Sequence, residues 1–246
     1  MKLIGSLANT KQINSEQQRR MFEIYSAYFD NVSFERFQAD LQEKESAILL
    51  RDPIYNEIQG FSTLMLMNEK VEGCNVTAIF SGDTIIEKEY WGDCELARIW
   101  LELIFSLKAQ NNYEKFYWFL ISMGYKTYRF LPVYFKNFFP CYDKKTPDFE
   151  QKILDTLAMR KFKAQYYKET GLISFSEPRE RLKSGVADVD QKRLKNKHLQ
   201  YFISKNPNYL NGDELACIAE LSEENFKPVV YRVIRDSKIM DMETKN

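Results

Sequence analysis

The sequence predicts a mixed α/β domain, and three features carry the prediction. Apolar residues at helical spacing alternate along the chain with short runs of period two or of unbroken apolar character. A long extended stretch, residues 75–90, leads straight into an amphipathic helix at 93–109. A wholly apolar strand at 116–122 follows that helix, a pattern typical of a strand covered on both faces. The elements do not alternate as a doubly wound sheet would.

Each element has its own signal. Asn14-Ser15-Glu16-Gln17-Gln18 reads as a helix start, with Ser15 and Gln18 at capping-box spacing. Met21, Ile24, Tyr25, Tyr28 and Phe29 continue it at helical spacing to residue 29. Ser33 is placed to cap a second helix over 33–43, carrying Phe34, Phe37 and Leu41. Strands are expected at 47–51 and 58–67, with a turn at 52–57 between them. Gly82 lies in the middle of the 75–90 stretch, where a glycine marks a bulge or a close approach by another group. Gly92-Asp93 ends that stretch, and Asp93 can cap a helix with the stripe Leu96, Ile99, Trp100, Leu103, Ile104 and Leu107.

After the 116–122 strand, Thr127 is expected to cap a helix running toward Phe139, with Pro132 near its first turn. Thr146-Pro147 opens another helix, with Phe149, Ile153, Leu154 and Leu157 on one side. A short strand is expected at 171–175, and a charged surface excursion at 177–197. Turn signals at Asn206-Pro207 and Asn211-Gly212 precede two expected strands, 214–221 and 228–235, and a frayed tail after Asp236. Residues 1–142 form a core, and 143–246 a helical addition whose terminal strands complete the same domain.

Composition narrows the function. With 246 residues, 44% hydrophobic and 28% charged, the chain can bury a substantial core. Lys+Arg and Asp+Glu are both 35, so no global basic excess points to nucleic acid. The four cysteines (Cys74, Cys94, Cys141, Cys217) are widely spaced and there is one histidine, His198, so a Cys/His metal site has little material. We read the thiols as reduced and mostly buried, and expect a cytoplasmic protein without signal peptide or transmembrane segment.

Two stretches, Phe80-Ser81-Gly82-Asp83-Thr84-Ile85-Ile86 with Tyr90-Trp91-Gly92, and Tyr117 through Pro132, resemble a branch of GNAT-like bacterial proteins. The resemblance covers roughly 12–142. It implies two early helices, a strand meander, a long fourth strand, a central helix and a splayed fifth strand. It also implies acyl transfer from a thioester to an amine. One departure bears on the donor. The usual Gln/Arg-x-x-Gly-x-Gly/Ala pyrophosphate loop is here Glu89-Tyr90-Trp91-Gly92-Asp93-Cys94-Glu95. Asp93 and Glu95 would repel the phosphates of coenzyme A, so an acyl carrier protein suits the chain better as donor. No tightly bound cofactor is implied; acyl-coenzyme A or the acylated carrier is a co-substrate.

The residues that such chemistry would use follow. Asp83 beside Gly82 is the candidate base; its other reading is a turn or buried structural carboxylate. Glu87 and Glu89 follow at period two and share its face if the register holds, as further base or amine-binding groups or as a solvated strand face. Tyr125, Tyr128 and Tyr134 are candidate acids for the leaving thiolate, with Tyr128 singled out. Ser81, Gly82, Thr84, Glu89, Trp91, Trp118 and Tyr125 are the expected substrate-binding set. The eight aromatic side chains from Tyr125 to Tyr142 form either an acyl tunnel for a fatty chain or plain core. Cys94 at a helix start would need a base, and His198 is remote in sequence. The basic runs Arg160-Lys161-Phe162-Lys163 and Lys192–His198 could dock an acidic carrier protein or stand as solvated helix faces. The acceptor would be a small-molecule or peptide amine. The competing reading is a non-catalytic GNAT-like module that binds an acylated ligand or a partner protein.

Overall fold

The computed structural model describes residues 2–175, 180–186 and 193–243. The chain runs β1 (Ile4–Asn9), α1 (Ser15–Tyr28), β2 (Phe29–Asp30), α2 (Phe34–Glu43), β3 (Ser46–Arg51), β4 (Ile58–Val71) and β5 (Cys74–Ile86). Then come α3 (Glu95–Gln110), β6 (Lys115–Ser122), α4 (Tyr125–Tyr128), α5 (Phe130–Tyr134) and α6 (Asp148–Phe162). The remainder is β7 (Tyr166–Tyr167), β8 (Leu172–Ile173), β9 (Arg181–Leu182), α7 (Lys197–Lys205), β10 (Glu214–Glu220) and α8 (Pro228–Glu243).

Eight strands form one sheet in the order β1-β3-β4-β5-β6-β10-β8-β7. Neighbours are antiparallel except β5 and β6, which are parallel from Val76↔Lys115 to Ser81↔Leu120. Beyond that pair the strands part, and β5 from Gly82 onward has no partner on its β6 side in the register. The pairing of β4 with β5 shifts between Ser62↔Thr84 and Leu64↔Ser81, so Thr63 alone faces both Gly82 and Asp83. This is the bulge that the mid-strand glycine predicts.

Helices cover both faces. On one, Trp100 of α3 packs on Trp118 of β6, and Phe105 packs on Phe226 just before α8. On the other, Phe37 of α2 meets Phe61 of β4, and Phe162 at the end of α6 meets Phe80 and Phe119. A smaller core of Met21, Ile24, Tyr25, Phe37, Leu41, Phe61 and Ile85 joins α1 and α2 to the sheet.

Several expectations shift. Asn14, not Ser15, caps α1: its Oδ1 accepts from Gln17 N–H and Gln17 answers, so the capping box lies one residue earlier. β1 is unpredicted, because an edge strand with the exposure of Ile4 and Leu7 carries no period-two signal. The helix expected from Thr127 to Phe139 begins at Tyr125 and stops at Tyr134. Phe139 instead exchanges backbone bonds with Ile218, and the following Pro140 disfavours helical backbone there. Residues 228–235 are helical, not extended. Pro228 stands at the first helical position, and Val229, Val230, Val233 and Ile234 fit helical spacing as well as they fit a strand. That helix continues to Glu243, through the expected frayed tail. Within the predicted 177–197 excursion, β9 pairs with β2, while 176–179 and 187–192 lie outside the described residues. Among the described residues no helix is long and apolar enough to cross a membrane.

Candidate active site

The parting of β5 from β6 opens a cleft of about 940 Å³. Its walls come from the bulge, the ends of α1 and α2, the turn before α3, the α4–α5 segment and the end of α6. Asp83 stands on this wall, half-buried, with no hydrogen bond or ion pair among the described residues. Burial, with the Asp40 carboxylate beside it, pushes the Asp83 carboxyl up to about 7 against the pull of Lys44. A carboxyl in that range exchanges a proton readily at neutral pH.

The neighbours of Asp83 form a charged layer. Lys44, buried, donates from Nζ to Asp40 Oδ2 at 2.6 Å. Lys161 bonds Glu43 and lies 3.8 Å from Asp40 Oδ1. Glu180 and Glu214 line the same wall. The Tyr25 hydroxyl is held far above its ordinary range, chiefly by burial, then by the Asp83, Glu180, Glu214 and Asp40 carboxylates. Sequence reasoning missed this layer. Asp40 and Lys44 carried a signal, a carboxylate and an ammonium four residues apart, whereas the partners from α6 and residue 180 are brought in only by the tertiary fold.

Gly82 stands at a bulge and at a close approach by other groups, as its place in mid-strand predicts. A Cβ there would lie 2.6 Å from Thr63 Oγ1 and 2.9 Å from Lys44 Cε. The glycine makes room for those two side chains, and it also lines the cleft. Its carbonyl accepts from Thr84 Oγ1 at 3.3 Å, and Thr84 Oγ1 also lies 2.8 Å from Ser62 Oγ. Glu87 leaves the cleft wall for α1: Tyr28 O–H donates to its Oε2 at 2.9 Å and Arg20 Nη2 lies 3.5 Å from Oε1. Glu89 is off the strand in a 3-10 turn over Lys88–Tyr90 and exposed, so it does not share the face of Asp83.

Of the three tyrosines, the structure separates one. Tyr128 is fully buried, lines no part of the cleft, and donates its hydroxyl to Pro140 O at 2.9 Å. Tyr125 lines the cleft beside Phe202. Tyr134 lines it too, and burial with the Cys94 thiol nearby pushes its phenol up to about 12. Trp91 forms the rim: its indole N–H donates to Ile86 O at 2.8 Å and Lys126 Nζ sits 3.2 Å over its ring. Trp118 and Ser81 lie deeper, joined by an indole-to-hydroxyl bond of 2.9 Å. Cys94 lines the cleft, but His198 packs between Phe138 and Tyr142, so no Cys–His pair forms there. Among the described residues no cluster of His, Cys, Asp or Glu could hold a metal ion.

The turn before α3 is closed by its own carboxylates. Asp93 Oδ1 accepts from Glu95 N–H at 2.6 Å and Asp93 Oδ2 from Leu3 N–H at 3.0 Å. Glu95 Oε1 accepts from Gly5 N–H at 2.7 Å, and Arg98 Nε donates to Glu95 Oε2 at 2.7 Å. Here Gly5 is required by contact, since a Cβ would lie 2.6 Å from Ile99 Cγ1. These bonds tie β1 to the start of α3 and spend both carboxylates on backbone N–H groups and Arg98.

No family model matches the chain, and no curated protein matches it. Among solved structures it is similar to a GNAT-family N-acetyltransferase from Escherichia coli in complex with CoA, at 15% identity and TM-score 0.38, over 53% of this chain and 68% of that one. A probable N-acyltransferase of unknown function from Enterococcus faecalis V583 aligns at 13% identity and TM-score 0.42, over 89% of this chain and 66% of that one. An aminoglycoside acetyltransferase from an uncultured soil metagenomic sample aligns at 10% identity and TM-score 0.40, over 60% and 96%. Likenesses this distant say nothing of donor or acceptor. The strand order, the parallel pair that parts at Ser81↔Leu120 and the helix between those strands follow the element order that the resemblance of the sequence to GNAT-like proteins implies.

Proposed function

We infer that the cleft transfers an acyl group from a thioester to an amine. The observation that carries this reading is the Asp83 carboxyl at the bulge, without a hydrogen bond or ion pair among the described residues, in one cleft with the protonated phenol of Tyr134. The amine nitrogen attacks the thioester carbonyl carbon, and the carbonyl electrons move to oxygen. Asp83, as carboxylate, takes the proton that the nitrogen loses. The oxygen re-forms its double bond, the carbon–sulfur bond breaks, and Tyr134 gives its proton to the departing thiolate. Amide and thiol leave, and solvent in the open cleft restores both groups. The open edge of β5 past Ser81 offers backbone donors for the oxyanion, and the rest of the rate comes from holding amine and thioester together.

Two further points refine the reading. The amine is a small molecule or a peptide side chain whose cation is drawn in by Asp83, Glu180 and Glu214 in the cleft lining and gives one proton to solvent before its neutral nitrogen attacks. The donor is an acyl carrier protein rather than coenzyme A, because Asp93 and Glu95 occupy the helix end that nucleotide phosphates would need. The Arg160–Lys163 run is a poor docking surface for it, as Arg160 lies 3.4 Å from Glu69 and Lys161 is committed to α2. Lys126 and Arg129 at the cleft mouth are better placed.

The test is intact mass spectrometry of acylated carrier protein and of acyl-coenzyme A, each incubated with the protein and a pool of amines. Loss of acyl from the carrier, gain on an amine, and suppression by Asp83→Asn are the expected results. Transfer from coenzyme A alone would reject the donor preference. No transfer from either donor would reject the enzyme reading in favour of a binding module.

A further inference from the structure

The carboxylates of the cleft come from three separate parts of the chain. Ser81 pairs with Leu120 and Ser122 with Leu215, so Asp83 on β5 and Glu214 on β10 lie near the same height with β6 between them. Two strand spacings put their backbones about 10 Å apart. Glu180 comes from outside the large sheet and is held there by β9, which pairs with β2 (Phe29↔Leu182, Asp30↔Arg181). Lys183 N–H donates to Tyr28 O at 2.9 Å and Lys183 Nζ to Ser26 O at 2.7 Å. A Cβ at Gly212, which holds a φ of +100°, would lie 2.7 Å from Glu180 O, so the glycine lets these two segments close.

Tyr25 stands among these groups. It lines the cleft, is 7% exposed, and its hydroxyl makes no hydrogen bond among the described residues. Its ring is fixed, stacked on Phe29 at 4.6 Å and tilted against Phe37 at 5.6 Å, and both of those rings line the cleft as well. Burial, then the Asp83, Glu180 and Glu214 carboxylates, keep the phenol protonated. A buried hydroxyl without a partner is uncommon, and one among carboxylates in a cleft lining points to a guest that carries donors. Charge narrows the guest further. Asp40 and Glu43 are answered by Lys44 and Lys161, whereas Asp83 and Glu180 have no ion pair among the described residues. Arg36 lines the cleft only from an exposed position. Among the described residues no group of three His, Cys, Asp or Glu could hold a metal ion. Spread carboxylates with aromatic faces between them suit an organic cation, whose ammonium meets the charge and whose methylenes lie on the rings.

We propose that Tyr25, Glu180 and Glu214 form a second cation site, and that the acceptor is a small diamine, acylated on one nitrogen at Asp83 while the other stays an ammonium in this site. The inference rests on the acyl-transfer reading and names its acceptor class. The reacting nitrogen gives one proton to solvent, attacks the thioester carbon and passes its next proton to Asp83. The other nitrogen keeps all of its protons throughout. The product therefore carries one charge where the substrate carried two. To react again it would have to turn round and set its neutral amide among the carboxylates, so the reaction stops at one acyl group.

The experiment compares, on the full chain, α,ω-diamines of two to eight carbons with the alkylamine and the amino alcohol of each length. Initial rates are taken with an acylated carrier protein and with acyl-coenzyme A. In parallel, each amine is scored without any donor by the rise in melting temperature at fixed ionic strength. The best diamine should have a KM at least about tenfold below those of its alkylamine and amino alcohol, the scale of one charge-assisted hydrogen bond. Mass spectrometry should find one acyl group per diamine. Glu180→Gln should cut the diamine-to-alkylamine ratio of kcat/KM about tenfold, and Tyr25→Phe, which keeps the ring contacts, about threefold. Circular dichroism and a cooperative melt establish that each variant is folded.

Diamines no better than their alkylamines, a ratio that neither variant moves, or ready transfer to both nitrogens overturns the proposal. If no donor transfers at all, the acyltransferase reading falls, and the melts without donor decide the cation site separately. Stabilisation by diamines beyond alkylamines, lost in Glu180→Gln, would uphold the site, and equal stabilisation by both would remove it.

Discussion

The two faces of β5 at the bulge are built from opposite materials. Toward α3, Ser81 and Thr84 look into an apolar recess, and their hydroxyls are taken up by Trp118 and Ser62. Toward α1, α2 and α6, Asp83 looks into a layer of Asp40, Lys44, Lys161, Glu180 and Tyr25. One face is apolar with its hydroxyls satisfied, and the other gathers charge around a carboxyl raised by burial. The difference teaches that a single extra residue in a strand can set two chemistries back to back. Without the extra residue, period-two alternation would fix which face each side chain takes from its neighbours.

The largest effect should come from the charged face. Asp83→Asn keeps the shape and removes the base, so kcat/KM should fall about 100- to 10,000-fold. In the wild type the rate should drop as pH falls through about 7, where the carboxylate takes up its proton. A steady-state pH profile checks both statements, and a variant that keeps its rate would sever Asp83 from the chemistry. Next in size is Tyr134→Phe, which should lower kcat about 10- to 100-fold with little change in KM, because the phenol acts on the leaving sulfur only. A thioester with a more acidic thiol should recover much of that loss.

Much of this contrast was legible in the sequence, and the remainder has physical reasons. Gly82 announced a bulge because a glycine in a strand has few other uses, and Asp83 beside it was legible as a carboxylate on the cleft wall. The central helix and the apolar fifth strand were legible because each presents an unbroken pattern, and the long strand by its length, its alternation being broken at Gly82. The face of Glu89 was not, since period two holds only while the strand lasts, and β5 ends at Ile86. Tyr128 and Tyr134 could not be told apart: both sit in an aromatic run, and only the tertiary fold turns one to Pro140 and the other to the cleft. The 228–235 segment misled because β-branched residues at positions one and four apart satisfy both periods.

Stability offers a finer test of where the two faces are anchored. Glu95→Ala removes the acceptor for Gly5 N–H and the partner of Arg98, and should cost about 2 kcal/mol. For a chain of this size that is a fall of about 4–8 °C in melting temperature. The same assay reads Asp83 with a definite sign. Its folded-state pKa, about 7, lies above the ordinary carboxyl value, so the folded protein keeps a proton that the unfolded chain has released. Stability therefore declines as pH rises from about 4 to 7, and the full cost of the buried charge is felt above 7. Asp83→Asn should accordingly stabilise at pH 8 by about 1–2 kcal/mol, the value being reduced by partial exposure, and give no gain at pH 4. A gain that is equal at both pH values would show that charge is not the cause.

The smallest expected effect belongs to Tyr128→Phe, and it separates packing from chemistry within one aromatic cluster. The Tyr128 ring is closed in by Phe138 and Phe202 at 6.1 and 5.5 Å, and phenylalanine leaves those contacts in place. What is lost is the hydroxyl donated to Pro140 O, a net contribution of about 1 kcal/mol. The carbonyl left behind retains a second lone pair and sits in a loop at the end of the helical segment, so the cost should not grow beyond that. Since Tyr128 does not reach the cleft, transfer rates should stay within about twofold of the wild type at a temperature well below the melt. A kcat loss in Tyr128→Phe as large as that in Tyr134→Phe would mean that the proton for the leaving thiolate passes through the buried hydroxyl, and the division between the two tyrosines would have to be redrawn.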